Sequence, residues 1–311
     1  MKFYFAPLEG VSGYIYRNAY HKHFIGFDRY FTPFIAPKKN QALSNKELRD
    51  VLPENNQGMT LIPQILTNQV DYFLATSQKL YDLGYREVNL NLGCPSGTVV
   101  TKKKGAGFLA ELDRLEHFLT EVTEELSKMG MALSIKTRIG LQETAEFTEI
   151  IELYNEYSLA ELIVHPRLQK EQYTGKPHWE IFAQAVEQSK NSLCYNGDIF
   201  TAEDYQRFCL DFPQIERVML GRGVLRNPNL LAEIKGEKLA DFNRLKQFHD
   251  DIFQGYQRDF SGEKPVIFKM RELWGYLLPL IPEGSQYAKK IHKADRIKEY
   301  EQIVEQIFSV Q

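Results

Sequence analysis

The chain has 311 residues, a formal net charge of −3 and 43% hydrophobic residues, which is enough for one large α/β domain of roughly 200–250 residues plus a small one. A charged fraction of 25% is ordinary for a globular protein, and no apolar run approaches the roughly 18 residues of a membrane helix. The start, MKFYFAPLEG, lacks a signal-peptide pattern, which predicts a cytoplasmic protein with no membrane contact.

Short strand-like segments alternate with amphipathic helical segments up to about residue 235. The predicted strands are Lys2–Ala6, Arg29–Ile35, Thr60–Leu66, Glu87–Leu92, Ala132–Thr137, Glu161–Val164, Ser192–Tyr195 and Arg217–Leu220. Helices are predicted at Val70–Leu83, Leu112–Lys128, Thr144–Tyr157, Trp179–Gln188 and Ala202–Leu210, with Asp113 and Thr201 at capping positions. The polar stretch from Pro37 to Gln57 is predicted to be mostly loop.

This alternation predicts a (β/α)8 TIM barrel, with a doubly wound parallel sheet as the alternative. It stops after Glu237, and apolar residues then recur at helical spacing, first at Leu245, Phe248, Ile252 and Tyr256 and later at Ile297, Tyr300, Ile303 and Ile307. Asp241 is a plausible N-cap for the first of these helices. We therefore predict a catalytic barrel domain at residues 1–238 and a C-terminal all-helical domain at residues 239–311.

The carboxyl ends of the strands, which form the rim where such barrels hold their chemistry, are rich in polar residues. The rim positions are Pro7, Gln64, Asn89, Asn91, Cys94, Lys136, Arg138, His165, Arg167, Asn196, Gly197, Asp198, Gly221, Arg222 and Gly223. Few stability arguments would place so many polar groups there. We therefore predict an active site at the rim.

The turns after the last two strands, NGD and GRG, are typical of a phosphate site. Their glycines allow backbone N–H groups to face an anion, and Arg222 adds positive charge. Each turn alone is a common structural feature, which is the alternative. Together they favour a phosphorylated ligand.

Lys136 and His165 each allow two interpretations. Lys136 shares a strand face with Arg138, and a buried lysine without a partner is costly, so we expect an electron-rich ligand edge beside it. The alternative is a salt bridge to an inward Glu or Asp. His165 ends a strand and is either structural or part of the site.

Cys94 is the cysteine predicted to react. It lies at a strand end between Gly93 and Pro95, so its neighbours restrict its backbone. Cys194 and Cys209 are predicted to be structural thiols, and the spacing of the three cysteines along the chain predicts no metal site.

Five segments, in this order and with these spacings, resemble the tRNA-dihydrouridine synthases: GCPSGTVVTKKKGAGFL, IKTRIG, HPRLQKEQYTGKPHW, YNGDI and MLGRGVLRNPNLL. The resemblance extends from APLEGVSG to the helical tail, and FKMRELWGYLL and VLRNPNLL lean toward the bacterial subfamily C branch. NLGCP alone does not discriminate, because dihydroorotate dehydrogenase-like flavoproteins carry a similar motif. The full set does.

The resemblance implies that NADPH reduces a bound FMN, hydride passes from FMN to uracil in tRNA, and Cys94 donates a proton to give 5,6-dihydrouridine. A thiol with a pKa of about 8.5 is mostly protonated at neutral pH and can donate. The implied cofactor contacts are Pro7, Gln64, Lys136, His165, Asn196, Gly197, Asp198, Gly221 and Arg222. The implied substrate contacts are Asn91, Arg138, Arg167, Lys102, Lys103 and Lys104.

Basic residues in the loops and in the tail suit an RNA backbone, although a solvated surface is the alternative. They are Lys38, Lys39, Lys102, Lys103, Lys104, Lys170 and Lys176 in the loops, and Lys264, Lys269, Arg271, Lys289, Lys290, Lys293 and Arg296 in the tail. We expect a monomer. The rival functions are an FMN barrel that reduces a small pyrimidine or enoate, a dihydrouridine synthase acting on ribosomal RNA, and a non-catalytic RNA-binding protein.

Overall fold

The computed structural model describes residues 1–309. Its strands are β1 (Lys2–Phe5), β2 (Arg29–Phe31), β3 (Leu61–Ile62), β4 (Gln64–Ile65), β5 (Glu87–Leu92), β6 (Ala132–Arg138), β7 (Glu161–His165), β8 (Leu193–Tyr195) and β9 (Arg217–Leu220). Its helices are α1 (Tyr14–His23), α2 (Asn45–Val51), α3 (Val70–Asp82), α4 (Gly97–Val100), α5 (Leu112–Lys128), α6 (Glu146–Asn155), α7 (Trp179–Gln188), α8 (Ala202–Asp211), α9 (Arg222–Arg226), α10 (Leu230–Lys235), α11 (Phe242–Asp259), α12 (Glu263–Leu277), α13 (Ala288–Lys293) and α14 (Ile297–Ser309).

The strands form one parallel sheet in the order β3-β2-β1-β9-β8-β7-β6-β5-β4. β3 and β4 are the two halves of the predicted third strand, separated by Pro63, which has no N–H to donate to the ladder. β3 pairs with β2 and β4 pairs with β5, and Ile35 forms a parallel bridge with Ile65. The sheet therefore closes on itself, which confirms the predicted TIM barrel and makes the doubly wound alternative wrong.

Apolar side chains fill the interior of the barrel. The buried cluster there consists of Tyr4, Ala6, Phe31, Ile62, Ile163, Cys194 and Met219. The amino end of the barrel carries charges, because Glu161 at the start of β7 accepts hydrogen bonds from the Tyr4 hydroxyl at 2.8 Å and from Arg217 Nε at 2.9 Å. With the amino end filled in this way, the carboxyl-end rim is the side available for chemistry.

Contacts divide the chain into two compact units. The first comprises Met1–Pro7, Phe27–Asp198 and Phe208–Leu220 and contains the strands. The second comprises Leu8–Gly26, Ile199–Arg207 and the chain from Gly221 onward. Its tail is helical as predicted, while the predicted domain boundary between residues 238 and 239 stays a prediction.

Within the second unit, α1 packs against α11 through aromatic rings. Phe248 makes edge-to-face contacts with Tyr16 and Phe24, with ring centroids 5.4 and 5.1 Å apart. The predicted N-cap Asp241 is confirmed, since its carboxylate accepts from the Arg244 N–H at 2.8 Å. None of the helices within residues 1–309 combines the length and the apolar character that a membrane crossing requires.

One local prediction missed a helix and another is wrong. The stretch predicted to be mostly loop contains α2, which begins with a capping box in which Ser44 accepts from the Glu47 N–H at 3.3 Å and Glu47 accepts from the Ser44 N–H at 2.7 Å. Asp113 does not cap α5, because that helix begins at Leu112 and Asp113 lies in its first turn. The predicted cap of α8 is confirmed, because Thr201 Oγ1 accepts from the backbone N–H three residues later at 3.1 Å.

Candidate active site

The turn that presents Cys94 is folded around one side-chain amide. β5 leads directly into Gly93, Cys94 and Pro95, and Asn91 Oδ1 accepts hydrogen bonds from the Gly93 N–H at 3.1 Å and the Cys94 N–H at 2.9 Å. The Cys94 residue is partly exposed. Asn91 therefore holds the thiol-bearing residue at the strand end.

Asn91 is in turn the last member of a buried chain of hydrogen bonds. Its amide nitrogen donates to Gln64 Oε1 at 2.6 Å, and Gln64 Nε2 donates to Asn89 Oδ1 at 2.7 Å. Asn89 Nδ2 then donates to Ser134 Oγ at 3.0 Å. Because each amide donates on one side and accepts on the other, every orientation in the chain fixes the next. The structure thus joins two predicted site residues, Gln64 and Asn91, to the Cys94 turn.

The Gly-Ala-Gly segment packs directly on Cys94. The Ala106 N–H donates to the Cys94 carbonyl at 3.1 Å, and a Cβ added to Gly105 would lie 2.9 Å from Cys94 Cβ. Gly105 also has a φ of +54°, a conformation that favours glycine. This glycine therefore allows the segment to approach the reactive turn.

The three lysines between the Cys94 turn and the Gly-Ala-Gly segment have different surroundings. Lys102 and Lys103 are exposed, and their carbonyls accept from Asn68 Nδ2 at 3.1 and 2.8 Å. Lys104 is half-buried, and burial together with the charge of Lys102 lowers its pKa. The exposed pair is available to bind an anionic partner, as the predicted substrate contacts require.

Lys136 lies across from Asn91 in the register of β5 and β6. The Lys136 side chain is half-buried, and burial lowers the pKa of Lys136 to about 8, with Arg138 adding repulsion. The Lys136 ammonium makes no salt bridge or hydrogen bond with any residue from 1 to 309. The alternative of an inward acidic partner is therefore wrong, and a half-buried lysine without a protein partner indicates a ligand.

Arg138 ties the Cys94 turn to the loop after β7. The buried guanidinium donates from Nε to the Gly93 carbonyl at 2.9 Å, from Nη1 to the Leu168 carbonyl at 2.8 Å and from Nη2 to the Gln172 carbonyl at 2.6 Å. Burial lowers the pKa of Arg138 to about 10. This geometry supports a positioning role, and the predicted substrate contact stays a prediction.

Arg167 brings His165 and Asp198 together. Its buried guanidinium donates to both Asp198 oxygens at 3.1 and 2.6 Å, to the carbonyls of Thr174 and Gly175 at 3.2 and 2.7 Å, and to His165 Nε2 at 3.2 Å. All five N–H groups are used, so this geometry supports positioning, and contact of Arg167 with substrate stays a prediction. Because arginine can only donate, Nε2 of His165 carries no proton in this arrangement.

Tyr173 is a site residue that the sequence reasoning missed. Its ring is 50% exposed, stacks on the His165 ring at 6.3 Å and lies 5.4 Å from the Arg138 guanidinium. The loop that carries it is held by an ion pair between Glu171 and His178 at 2.7 Å. An aromatic residue within HPRLQKEQYTG was the available signal, but its position depends on how this loop folds.

The turn after β8 places Asn196 and Gly197 at the rim. Asn196 is held by hydrogen bonds from its backbone N–H to the Val164 carbonyl and from Nδ2 to the Met219 carbonyl, both 2.9 Å. A Cβ on Gly197 would lie 1.9 Å from the hydroxyl of Tyr195, so only glycine fits there. Pro7, another predicted cofactor contact, follows β1 directly and is half-buried.

In the second unit, Gly221 and Arg222 follow the end of β9, and α9 begins at Arg222. A Cβ on Gly223 would lie 2.2 Å from the Ile199 carbonyl oxygen, which explains the second glycine of GRG. The Arg222 guanidinium lies 5.5 Å from the Phe200 ring. A phosphate site built from these residues stays a prediction. Within residues 1–309, no group of three or more His, Cys, Asp or Glu side chains is placed to hold a metal ion.

These features define the class of protein: an enzyme built on a TIM barrel, with a thiol and a half-buried, unpaired lysine at the carboxyl-end rim. A family model described as dihydrouridine synthase matches residues 4–309, and the chain therefore belongs to the dihydrouridine synthase family. Membership implies an oxidoreductase that forms dihydrouridine and uses a flavin.

Curated relatives agree with this assignment. A probable tRNA-dihydrouridine synthase of Staphylococcus aureus (strain COL) is 27% identical over 270 residues, covering 83% of this chain and 79% of the relative. The tRNA-dihydrouridine(16) synthase of Vibrio parahaemolyticus is 25% identical over 303 residues, covering 94% of this chain and 91% of the relative. Their similarity extends over most of both proteins.

Solved structures of low sequence identity share the fold. The old yellow enzyme from Trypanosoma cruzi superposes with a TM-score of 0.55 at 10% identity, covering 84% of this chain and 95% of that one. Morphinone reductase in complex with tetrahydroNAD gives 0.52 at 13% identity, covering 79% and 90%. At these identities the likeness concerns the barrel alone.

Proposed function

We propose that the protein reduces specific uridines of tRNA to 5,6-dihydrouridine, with noncovalently bound FMN as cofactor and NADPH as its reductant. The observation that carries the proposal is Lys136, a half-buried lysine without a protein partner that lies across from Asn91, the residue that holds the Cys94 turn. The substrate is supported by the names of the relatives. The Vibrio relative makes uridine 16 the first position to examine.

The residues present fit FMN. Lys136 needs an electron-rich neighbour, and the carbonyl edge of a flavin ring provides one. Asp198 would repel a phosphate if it were unpaired, but Arg167 binds both of its oxygens. The proposed holding residues are those predicted, namely Pro7, Gln64, Lys136, His165, Asn196, Gly197, Asp198, Gly221 and Arg222. Bound and reduced FMN supplies the hydride that carbon 6 of uracil receives.

Cys94 supplies the proton. Charge develops at carbon 5 of uracil as carbon 6 is reduced, and the thiol of Cys94 donates its proton there. Asn91 accepts from the Cys94 N–H at 2.9 Å and so fixes the backbone from which the thiol projects. Lys102 and Lys103 are exposed, so we assign them to RNA phosphate rather than to the thiol.

The helical tail offers a basic surface for folded RNA. Four of the exposed cations predicted to bind RNA lie on or just after α13, namely Lys289, Lys290, Lys293 and Arg296. The helix α13 itself contains no acidic residue. Two others serve the protein itself, because Lys269 donates to the Gly10 carbonyl at 2.6 Å and Arg271 donates to the Ala294 carbonyl at 2.8 Å. The proposal places a monomeric enzyme in the cytoplasm with tRNA.

RNA-dependent turnover of NADPH tests the proposal. The purified protein is expected to show a flavin absorption spectrum and to oxidise NADPH anaerobically when tRNA from cells lacking the enzyme is added. Ribosomal RNA and free uridine serve as parallel substrates, and NADH serves as a parallel reductant. Turnover with free uridine alone would favour a small-molecule reductase, and a colourless protein without turnover would contradict the proposal.

A further inference from the structure

An exposed aromatic ring stands on the outer face of α12. Phe268 is 65% exposed, although its helix already buries six large apolar side chains. The buried face consists of Val266, Ile267, Met270, Leu273, Trp274 and Leu277. The core of the helical unit is therefore filled without Phe268, and folding gives no reason for a phenylalanine at this position.

Phe268 belongs to a stripe along the helix. Lys264 lies one turn earlier and Gly275 two turns later, and helical spacing places all three on nearly the same side. Glycine inside a helix lowers stability relative to alanine. A Cβ on Gly275 would meet nothing within 4 Å, so packing does not require glycine here. Because Gly275 has no side chain, a partner that contacts the protruding Phe268 ring can also approach the helix backbone closely.

The surroundings of this stripe are basic. Arg271, one turn after Phe268, donates to the Ile291 carbonyl at 3.3 Å and to the Ala294 carbonyl at 2.8 Å, which places the end of α13 beside Phe268's part of the helix. Within residues 1–309, the cations without a salt bridge here include Lys264, Lys289 and Lys293. Three nearby acids are paired: Glu272 with Lys269 at 2.8 Å, Asp295 with Arg271 at 3.0 Å and Glu263 with Arg296 at 3.9 Å. A fourth, Glu299, accepts from the Asp295 N–H at 3.3 Å and makes no salt bridge with any residue from 1 to 309. Three cations of this region are therefore left without an acidic partner.

We propose that Phe268 stacks on an unpaired base of the substrate RNA, while Lys264 and the lysines of α13 contact the adjacent phosphates. A ring flanked by cations is the combination with which proteins bind exposed nucleotides, because any base offers a flat face and every nucleotide carries a phosphate. An apolar protein partner would need a broader apolar patch than one ring. This inference rests on the proposed function, since it assigns a further contact to the same RNA.

Binding of dihydrouridine-free tRNA to full-length, FMN-loaded variants tests the inference. Phe268→Ala and Phe268→Leu should weaken binding by about tenfold or more, because both remove the stacking ring. Phe268→Tyr should bind within about twofold of the unaltered protein. Leu210, which is 81% exposed and lies outside the helical unit, provides the matched control Leu210→Ala, for which no change is expected.

Salt dependence separates stacking from charge. Loss of the ring should leave the slope of log affinity against log salt unchanged, whereas Lys264→Ala should flatten it by about one unit. Affinity of Phe268→Ala within twofold of the unaltered protein would overturn the inference, and so would Phe268→Leu binding as well as Phe268→Tyr. A change of oligomeric state with unchanged RNA affinity would overturn it in favour of a protein contact. If the unaltered protein does not bind tRNA, the proposed function fails as well.

Discussion

Replacing Gly105 with alanine should displace Cys94 and lower activity more than the loss of folding stability alone would suggest. The added Cβ would lie 2.9 Å from both Cys94 Cβ and the Cys94 carbonyl oxygen, and 3.0 Å from Val99 Cγ1. A Cβ atom and a carbonyl cannot move away without the backbone. The clash therefore has to displace the Cys94 turn itself.

The expected magnitude has two parts. Alanine at a φ of +54° costs about 1–2 kcal/mol, and overpacking against Cys94 adds about 1–3 kcal/mol. A displacement of the thiol by about 1 Å should slow the reduction of tRNA by about 100-fold. FMN content should fall far less than activity, because Gln64 is the predicted cofactor contact joined to the Cys94 turn, and it is joined only through Asn91.

Gly130 gives the matched control, since its φ is +67° and an added Cβ would meet nothing within 4 Å. Gly130→Ala should therefore show the conformational cost alone and no loss of activity. Urea unfolding measures the first quantity, and single-turnover reaction of the reduced enzyme with tRNA measures the second. If Gly105→Ala matches Gly130→Ala in both, the packing of this glycine does not position Cys94.

Three further predictions concern the rim and its loop. Cys94→Ala should accept electrons from NADPH at the normal rate but form dihydrouridine about 100- to 10,000-fold more slowly in stopped-flow and product assays, and normal product formation would remove the thiol from the mechanism. Burial lowers the pKa of Lys136 from 10.5 to about 8, and we expect FMN to favour its charged form. FMN affinity should then fall as pH rises through about 8, and Lys136→Arg should abolish the trend in fluorescence titrations. Burial opposes the charge of His178, but hydrogen bonds to Glu171 and Glu180 prevail and raise the pKa of His178. That stabilisation is complete below the unfolded value of 6.5 and is lost as pH rises through the higher folded value, so amide exchange of residues 168–178 should show loosening as pH rises above 6.5, and Glu171→Gln should reduce this effect.

Much of the barrel could be predicted because apolar residues recur with different periods in strands and in helices, and segments of the two kinds alternate along this chain. Both bounds of the strands Glu87–Leu92 and Arg217–Leu220 and of the helix Leu112–Lys128 were predicted correctly. The errors arose where short-range chemistry was overlooked. Ser44 and Glu47 form a capping box that a polar stretch concealed, and Pro63 divides one strand into two.

The site could be predicted only as a set of positions. Sequence spacing placed Gln64 and Asn91 at strand ends, but their hydrogen bond crosses 27 residues and depends on strand register. The same limit applies to Arg167, whose five N–H groups are shared among His165, Asp198 and a loop that folds back over it. Tyr173 was missed because an aromatic residue in a loop acquires its place only from the folded loop.

The claim that this chain forms dihydrouridine in tRNA is tested most directly by nucleoside mass spectrometry of tRNA from cells that lack the protein. We predict that dihydrouridine is missing at one or more positions, with uridine 16 examined first, and that the unaltered gene restores it. We also predict that a gene encoding Cys94→Ala restores it poorly. Dihydrouridine at every position in the absence of the protein, with no other enzyme acting at those positions, would contradict the account.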